Sequence, residues 1–62
     1  MIKIVLLGAG NLGHHFQKLF HEAENIDLVQ WYNRDLNIIE FVKNDTKITN
    51  ELSQLEDADL YI

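Results

Sequence analysis

Three glycines at fixed spacing are the residues of this chain best suited to chemistry. Gly8, Gly10 and Gly13 form a Gly-x-Gly-x-x-Gly pattern between the apolar run of residues 2–7 and a helical pattern over residues 12–23. In this context the first glycine allows a tight turn out of a strand and the second leaves room for a pyrophosphate. The third lets the helix pack closely on the sheet. The pattern predicts a strand–turn–helix unit that binds a dinucleotide.

The backbone amides after this turn are the predicted phosphate ligands. The N–H groups of Gly10, Asn11 and Leu12 fall at the start of the helix, where they lack intrahelical acceptors and the helix dipole favours an anion. No acidic residue precedes Glu22 in the sequence, so this stretch has no carboxylate to repel a phosphate. The alternative is a glycine-rich turn that joins strand to helix and binds nothing.

The residues after the second predicted strand bear on the choice of cofactor. Sites for NAD and FAD usually place Asp or Glu about twenty residues beyond the glycines, where it accepts hydrogen bonds from the ribose 2′-OH. Asn33 and Arg34 stand there instead. Asn33 can donate to a 2′-phosphate, and Arg34 can pair with one or stack on adenine. The sequence therefore favours NADP over NAD and disfavours a flavin, unless Arg34 is only an exposed loop charge.

The three histidines, His14, His15 and His21, do not form a metal-binding pattern. No two of them are four residues apart, and the chain has no cysteine. Structural zinc sites usually need such pairs or thiolates. We therefore predict no metal site and expect surface histidines on a helix. His14 and His15 fall in the first helical turn, from which either could approach a bound cofactor.

Charge and hydropathy restrict the partners and the compartment. The net charge is −5, which argues against nucleic-acid binding because that needs a basic surface. The longest apolar run is too short to cross a bilayer and makes a poor signal peptide, so no membrane partner is predicted. We expect a cytoplasmic protein, with a homo-oligomer left open.

Periodicity predicts an α/β fold with the order strand, helix, strand, helix, strand. The apolar stripe of the first helix consists of Leu12, Phe16, Leu19, Phe20 and Ala23. The predicted elements are strands at 2–7, 26–32 and 60–62, helices at 12–23 and 36–43 (the second with Asp35 as N-cap), a short extended piece at 47–49 and a helical turn at 51–55. Right-handed crossovers then give the strand order 3-2-1.

This βαβαβ unit is half of a doubly wound (Rossmann) parallel sheet. A complete fold of that type has two halves, and 62 residues have room for one. Residues 1–62 are therefore expected to be the N-terminal part of a dinucleotide-binding domain and a fragment of a longer protein. The first strand would then have an unpaired edge.

Three segments together resemble a known superfamily. They are Ile-Val-Leu-Leu-Gly-Ala-Gly-Asn-Leu-Gly at 4–13, Trp-Tyr-Asn-Arg at 31–34 and Asp-Ala-Asp-Leu-Tyr-Ile at 57–62. The chain is similar to the N-terminus of the pyrroline-5-carboxylate reductase and 6-phosphogluconate dehydrogenase-like superfamily, most of all to a group with a helical C-terminal domain of unknown function. The resemblance extends to deazaflavin-dependent NADP oxidoreductases. It covers the whole chain but only the beginning of such a protein.

The resemblance implies site residues and a reaction class. Its pyrophosphate contacts would be Gly8, Gly10, Asn11, Leu12 and Gly13, and its 2′-phosphate contacts Asn33 and Arg34. It implies an oxidoreductase that transfers hydride between NADPH and an imine or carbonyl. Catalytic residues would lie outside these 62 residues, so none is named and the isolated chain is expected to be inactive. The alternatives are a non-catalytic nucleotide-binding or redox-sensing module, and a truncated product without activity of its own.

Overall fold

The computed structural model describes residues 1–8, 10–43 and 45–62, and it has the predicted α/β architecture. The bounds of the first two strands agree with the sequence prediction. In chain order the elements are β1 (Ile2–Leu7), α1 (Asn11–Glu22), β2 (Ile26–Tyr32), α2 (Leu36–Ile39), a 3₁₀ turn (Glu40–Val42), β3 (Lys47–Thr49), a second 3₁₀ turn (Leu52–Gln54) and β4 (Leu60–Tyr61).

The second predicted helix begins where the sequence predicts, but its last turn is a 3₁₀ turn and not α-helix. The Asp35 carboxylate accepts a hydrogen bond from the Asn37 backbone N–H at 3.0 Å, which caps α2 as the sequence predicts. The α-helix ends at Ile39 and continues as the 3₁₀ turn Glu40–Val42 rather than as α-helix to residue 43.

The four strands are parallel and lie in the order β3-β2-β1-β4. The half of a doubly wound sheet and its 3-2-1 order are confirmed. The prediction that residues 60–62 form the strand beside β2 was wrong. Lys47–Thr49 pairs with β2, where the sequence pattern predicts only an extended piece. Leu60–Tyr61 pairs with β1 on the other side. The expectation of an unpaired edge on β1 is therefore also wrong.

The main core lies between the sheet and the two helices on one of its faces. The buried residues of this core are Ile4 and Leu6 from β1, Leu28 and Trp31 from β2, Ile39 from α2 and Val42 from the following turn. Phe16 and Phe20 of α1 pack against it, as predicted. Leu19 does not, since it is 49% exposed, and the side chain of Leu12 lies outside the described part of the structure.

The connection from β3 to β4 covers the opposite face. Neighbouring side chains of a strand point to opposite faces, so buried Val5, between Ile4 and Leu6, and buried Gln30, beside Trp31, point away from the main core. The register of β1 against β2 shifts between Ile4 and Val5, and this irregularity lets both Leu28 and Trp31 face the main core. The Gln30 side-chain amide donates to the Gln54 carbonyl at 3.1 Å and accepts from the Glu56 N–H at 2.8 Å, which holds residues 54–56 against this face. The helices that follow β1 and β2 thus lie on one face of the sheet, and the connection that leads into β4 lies on the other. The place where β1 and β4 lie side by side is the topological switch point of the sheet.

Candidate functional site

The glycine turn leaves the carboxyl end of β1 at the centre of the sheet. Gly8 has φ of +91°, a backbone conformation that residues with a side chain rarely adopt. Its N–H donates to the Tyr32 carbonyl at 2.8 Å, so the turn stays attached to β2. The tight turn expected at the first glycine is present.

The third glycine is required by close contact between α1 and the turn. A Cβ placed on Gly13 would lie 2.8 Å from the Gly8 carbonyl oxygen and 3.3 Å from the Gly8 carbonyl carbon. Contact with backbone at this distance cannot be relieved by a side-chain rotation. Gly13 therefore has the packing role that its place in the pattern predicts.

The second glycine faces open space. Among the described residues other than its chain neighbours, no heavy atom lies within 4 Å of a Cβ placed on Gly10. The backbone angles of Gly10, φ −76° and ψ −171°, are ones that other residues also adopt. Neither packing within the chain nor backbone strain explains a glycine here.

A pocket of about 350 Å³ opens beside the turn, at the carboxyl ends of β1 and β4. It is lined by Leu6, Leu7, Gly8, Gly10, Gly13, Phe16 and Ile62. The pocket lies at the switch point, which is where open α/β sheets bind their ligands. None of these seven residues has a titratable side chain. They can bind and orient a ligand but have no side-chain group to move a proton.

The N-terminus of α1 borders the pocket through Gly10 and Gly13. The His14 N–H donates to the Gly10 carbonyl at 3.1 Å, which begins the helical hydrogen bonding. The amides of residues 11–13 therefore have no acceptor within the helix. The first turn of α1 has no acidic residue, so the positive end of the helix dipole is not neutralised there. Free N–H groups and an unopposed helix dipole favour negative charge near this end of α1.

Three aromatic rings, of buried Trp31 and of exposed His14 and Phe41, lie against one another beside the turn, a feature that the sequence pattern does not predict. The indole N–H of buried Trp31 donates to the Gly8 carbonyl at 2.6 Å. The His14 ring lies edge-on to Trp31 and parallel to Phe41, with centroids 5.5 and 5.6 Å apart. The signal in the sequence was the single tryptophan, because a buried indole N–H usually needs an acceptor.

Asn33 and Arg34 follow β2 and therefore lie at the same edge of the parallel sheet as the glycine turn. The Asn33 N–H donates to the Thr49 carbonyl at 3.0 Å, and its side-chain amide donates to the Asp35 carbonyl at 2.8 Å. Arg34 is exposed and belongs to neither of the ion pairs found among the described residues. Asn33 is thus fixed by the fold, while Arg34 extends into solvent.

Other predicted features can be located on the same structure. His15 and His21 are exposed on α1, and within residues 1–8, 10–43 and 45–62 no three His, Cys, Asp or Glu side chains form a metal-sized cluster. The helices of these same residues are all too short or too polar to cross a membrane.

Fold and site together define an α/β chain with half of a doubly wound parallel sheet and a glycine-lined pocket at its switch point. Comparisons with protein-family models, curated proteins and solved structures returned no match. The likeness to reductases therefore rests on the sequence motifs alone.

Proposed function

We propose that this chain binds the pyrophosphate and adenosine part of NADP(H), as the nucleotide-binding half of an oxidoreductase that transfers hydride to an imine or carbonyl substrate. The observation that carries the proposal is the pocket at the switch point, with three glycines in its lining and the N-terminus of α1 at its wall. A pyrophosphate needs close backbone approach and several N–H donors, and this wall offers both.

The surroundings of Gly10 support the pyrophosphate assignment. The space beside its α-carbon is open, and the amides of residues 11–13 follow it directly. Consecutive N–H groups suit two linked phosphates, and the absence of acidic residues from the first turn leaves their charge unopposed. Leu6, Phe16 and Ile62 line an apolar side of the same pocket, against which the uncharged parts of a nucleotide can pack.

The residues after β2 support NADP over NAD. Arg34 is exposed at the edge of the sheet that bears the glycine turn, where it can pair with a 2′-phosphate. Asn33 is held by Thr49 and Asp35, and a primary amide has a second hydrogen to donate beyond the one that bonds Asp35. A carboxylate that would repel a 2′-phosphate is absent from both positions.

The reaction class rests on the resemblance to reductases. Bound NADPH would supply the hydride, while residues of this chain would hold and orient the nucleotide. The seven residues that line the pocket have no titratable side chain, so a proton donor would have to come from elsewhere. We therefore expect no turnover of imine or keto substrates by the 62-residue chain alone. Consumption of NADPH with such a substrate would contradict this expectation.

Calorimetric titration with NADPH and NADH tests the proposal directly. Circular dichroism first checks that each variant is folded, and each titration is run at low and moderate salt. We expect tighter binding of NADPH, and we expect Arg34→Asp to weaken NADPH binding at least about tenfold because a hydrogen bond to a charged group is lost. Binding of NADH should change little.

Lys18→Asp is the matched control, since it makes the same charge change at an exposed position on the outer side of α1. It should leave the preference for NADPH intact. Equal binding of NADPH and NADH by the native chain would contradict the 2′-phosphate assignment alone. A folded chain that binds neither nucleotide would contradict the proposed function.

A further inference from the structure

The carbonyls of the glycine turn are held by side chains from outside the turn. The Gly8 carbonyl accepts the Trp31 indole N–H at 2.6 Å. The Gly10 carbonyl is 3.1 Å from Nδ1 of His14 and also accepts the His14 backbone N–H at 3.1 Å. A carbonyl oxygen can only accept, so in this hydrogen bond Nδ1–H of His14 is the donor and the Gly10 carbonyl is the acceptor.

Fixing a carbonyl also fixes the amide beyond it. The peptide bond is planar and trans, so the Asn11 N–H points opposite to the Gly10 carbonyl. Two donors from His14 hold that carbonyl toward the body of α1. The Asn11 N–H is consequently directed out of the helix, toward the side where a phosphate would lie.

The His14 ring is itself held in place. It lies parallel to Phe41, with an interplanar angle of 3°, and at 82° to Trp31. Phe41 also contacts Trp31 edge-on, with centroids 6.0 Å apart. These contacts fix an exposed histidine that would otherwise be free to change rotamer, and they join α1 to the turn after α2.

From these contacts we infer that His14 is a positioning residue of the pyrophosphate site, acting through its Nδ1–H on the Gly10 carbonyl. The inference rests on the proposed function, because it assigns a role within that same site. His14 need not touch the nucleotide. It orients the backbone that does, and its neighbour His15 has no such contact among those found in the described residues.

Two matched pairs of variants isolate the hydrogen bond. His14→Phe keeps an aromatic ring against Phe41 and Trp31 but removes the donor. His14→Asn and His14→Leu have nearly the same shape and both lose the ring stacking, but only Asn can donate to Gly10. His15→Phe is the control for a changed surface histidine. Each protein is titrated with NADPH by calorimetry, and its melting temperature is measured without ligand.

We expect His14→Phe and His14→Leu to bind NADPH about three- to tenfold more weakly than the native chain, as the loss of one hydrogen bond implies. His14→Asn should bind within about twofold of native, although Asn is the poorer helix former of the isosteric pair. His15→Phe should bind as the native chain does. Recovery of affinity by Asn is a readout that a merely structural role would not produce.

Native affinity in His14→Phe would overturn the inference, as would equal losses in His14→Asn and His14→Leu, which would assign the effect to stacking. Should His14→Phe fail to fold, the Asn and Leu pair decides alone. A native chain that binds NADH as well as NADPH overturns only the 2′-phosphate assignment, and the same comparison is then made with either nucleotide. A native chain that binds neither overturns the proposed function, and the inference with it.

Discussion

Replacing Gly13 by alanine tests whether the third glycine serves packing, as its geometry indicates. The new methyl carbon would lie 2.8 Å from the Gly8 carbonyl oxygen, and the gap must open by about 0.6 Å to reach the 3.4 Å at which ordinary packing begins. The Gly8 oxygen cannot retreat freely, since it accepts the Trp31 indole N–H, and the Gly8 N–H is bonded to Tyr32. Movement of α1 would instead loosen Phe16 against the core.

The expected cost follows from two opposing terms. Forcing a methyl group into a packed site typically costs about 1–3 kcal/mol, while alanine gains up to about 1 kcal/mol over glycine in a helix. A contact of 2.8 Å with backbone places the first term in the upper part of its range, about 2–3 kcal/mol, so the net loss in the free energy of unfolding should be about 1–2 kcal/mol. For a chain of this size that corresponds to a fall in Tm of about 4–16 °C.

Thermal unfolding followed by circular dichroism measures this change, with Gly10→Ala as the matched control. Apart from its chain neighbours, no described residue has an atom within 4 Å of an alanine methyl at position 10, so the Tm of this variant should stay close to native. A Gly13→Ala chain as stable as the native one would refute the packing argument. Equal losses at both positions would show that the contact with Gly8 is not the cause.

Three further results are expected from single substitutions. Gly10→Ala should weaken NADPH binding at least about tenfold while the chain stays folded, because its methyl would occupy the space proposed for the pyrophosphate; calorimetric binding at native affinity would contradict that location. Gln30→Leu should lower the free energy of unfolding in urea by about 1–3 kcal/mol and speed amide exchange in residues 54–56, since their partly buried hydrogen bonds to Gln30 are lost. Exchange at the native rate would show that other contacts hold this segment. Asp35→Ala should cost about 1 kcal/mol by removing the cap on Asn37, with Asp35→Asn near native, and equal urea midpoints for the two variants would argue against the cap.

Local patterns were enough to locate the first half of the chain. The apolar run of β1, the glycine turn and the spacing of Phe16 and Phe20 each follow from the preferences of neighbouring residues, so the bounds of β1 and β2 agree with prediction. Leu19 belongs to the same spacing but is half exposed. Spacing gives the direction of a side chain, whereas the extent of the sheet beneath it decides whether that side chain is covered.

The later strands could not be ordered from local pattern. Lys47–Thr49 has one apolar residue between two polar ones, and it becomes a strand only by pairing with residues 30–32 of β2. Leu60–Tyr61 has the stronger strand composition, yet its place beside β1 is set by distant contacts. Among these are the two hydrogen bonds that join Asp59 to Lys3, one through the Asp59 carboxylate and one through its N–H.

The sequence by itself determined the α/β class, the strand–turn–helix unit and the roles of Gly8 and Gly13, because backbone freedom at a glycine and the period of a helix are properties of neighbouring residues. It also located the residues proposed to bind NADP(H). Only the tertiary structure decided which strand lies beside β1, and only it joined His14, Trp31 and Phe41 around the glycine turn. These residues are far apart in the chain, and the packing of α1 and of the turn after α2 beside buried Trp31, rather than any local preference, brings them into contact.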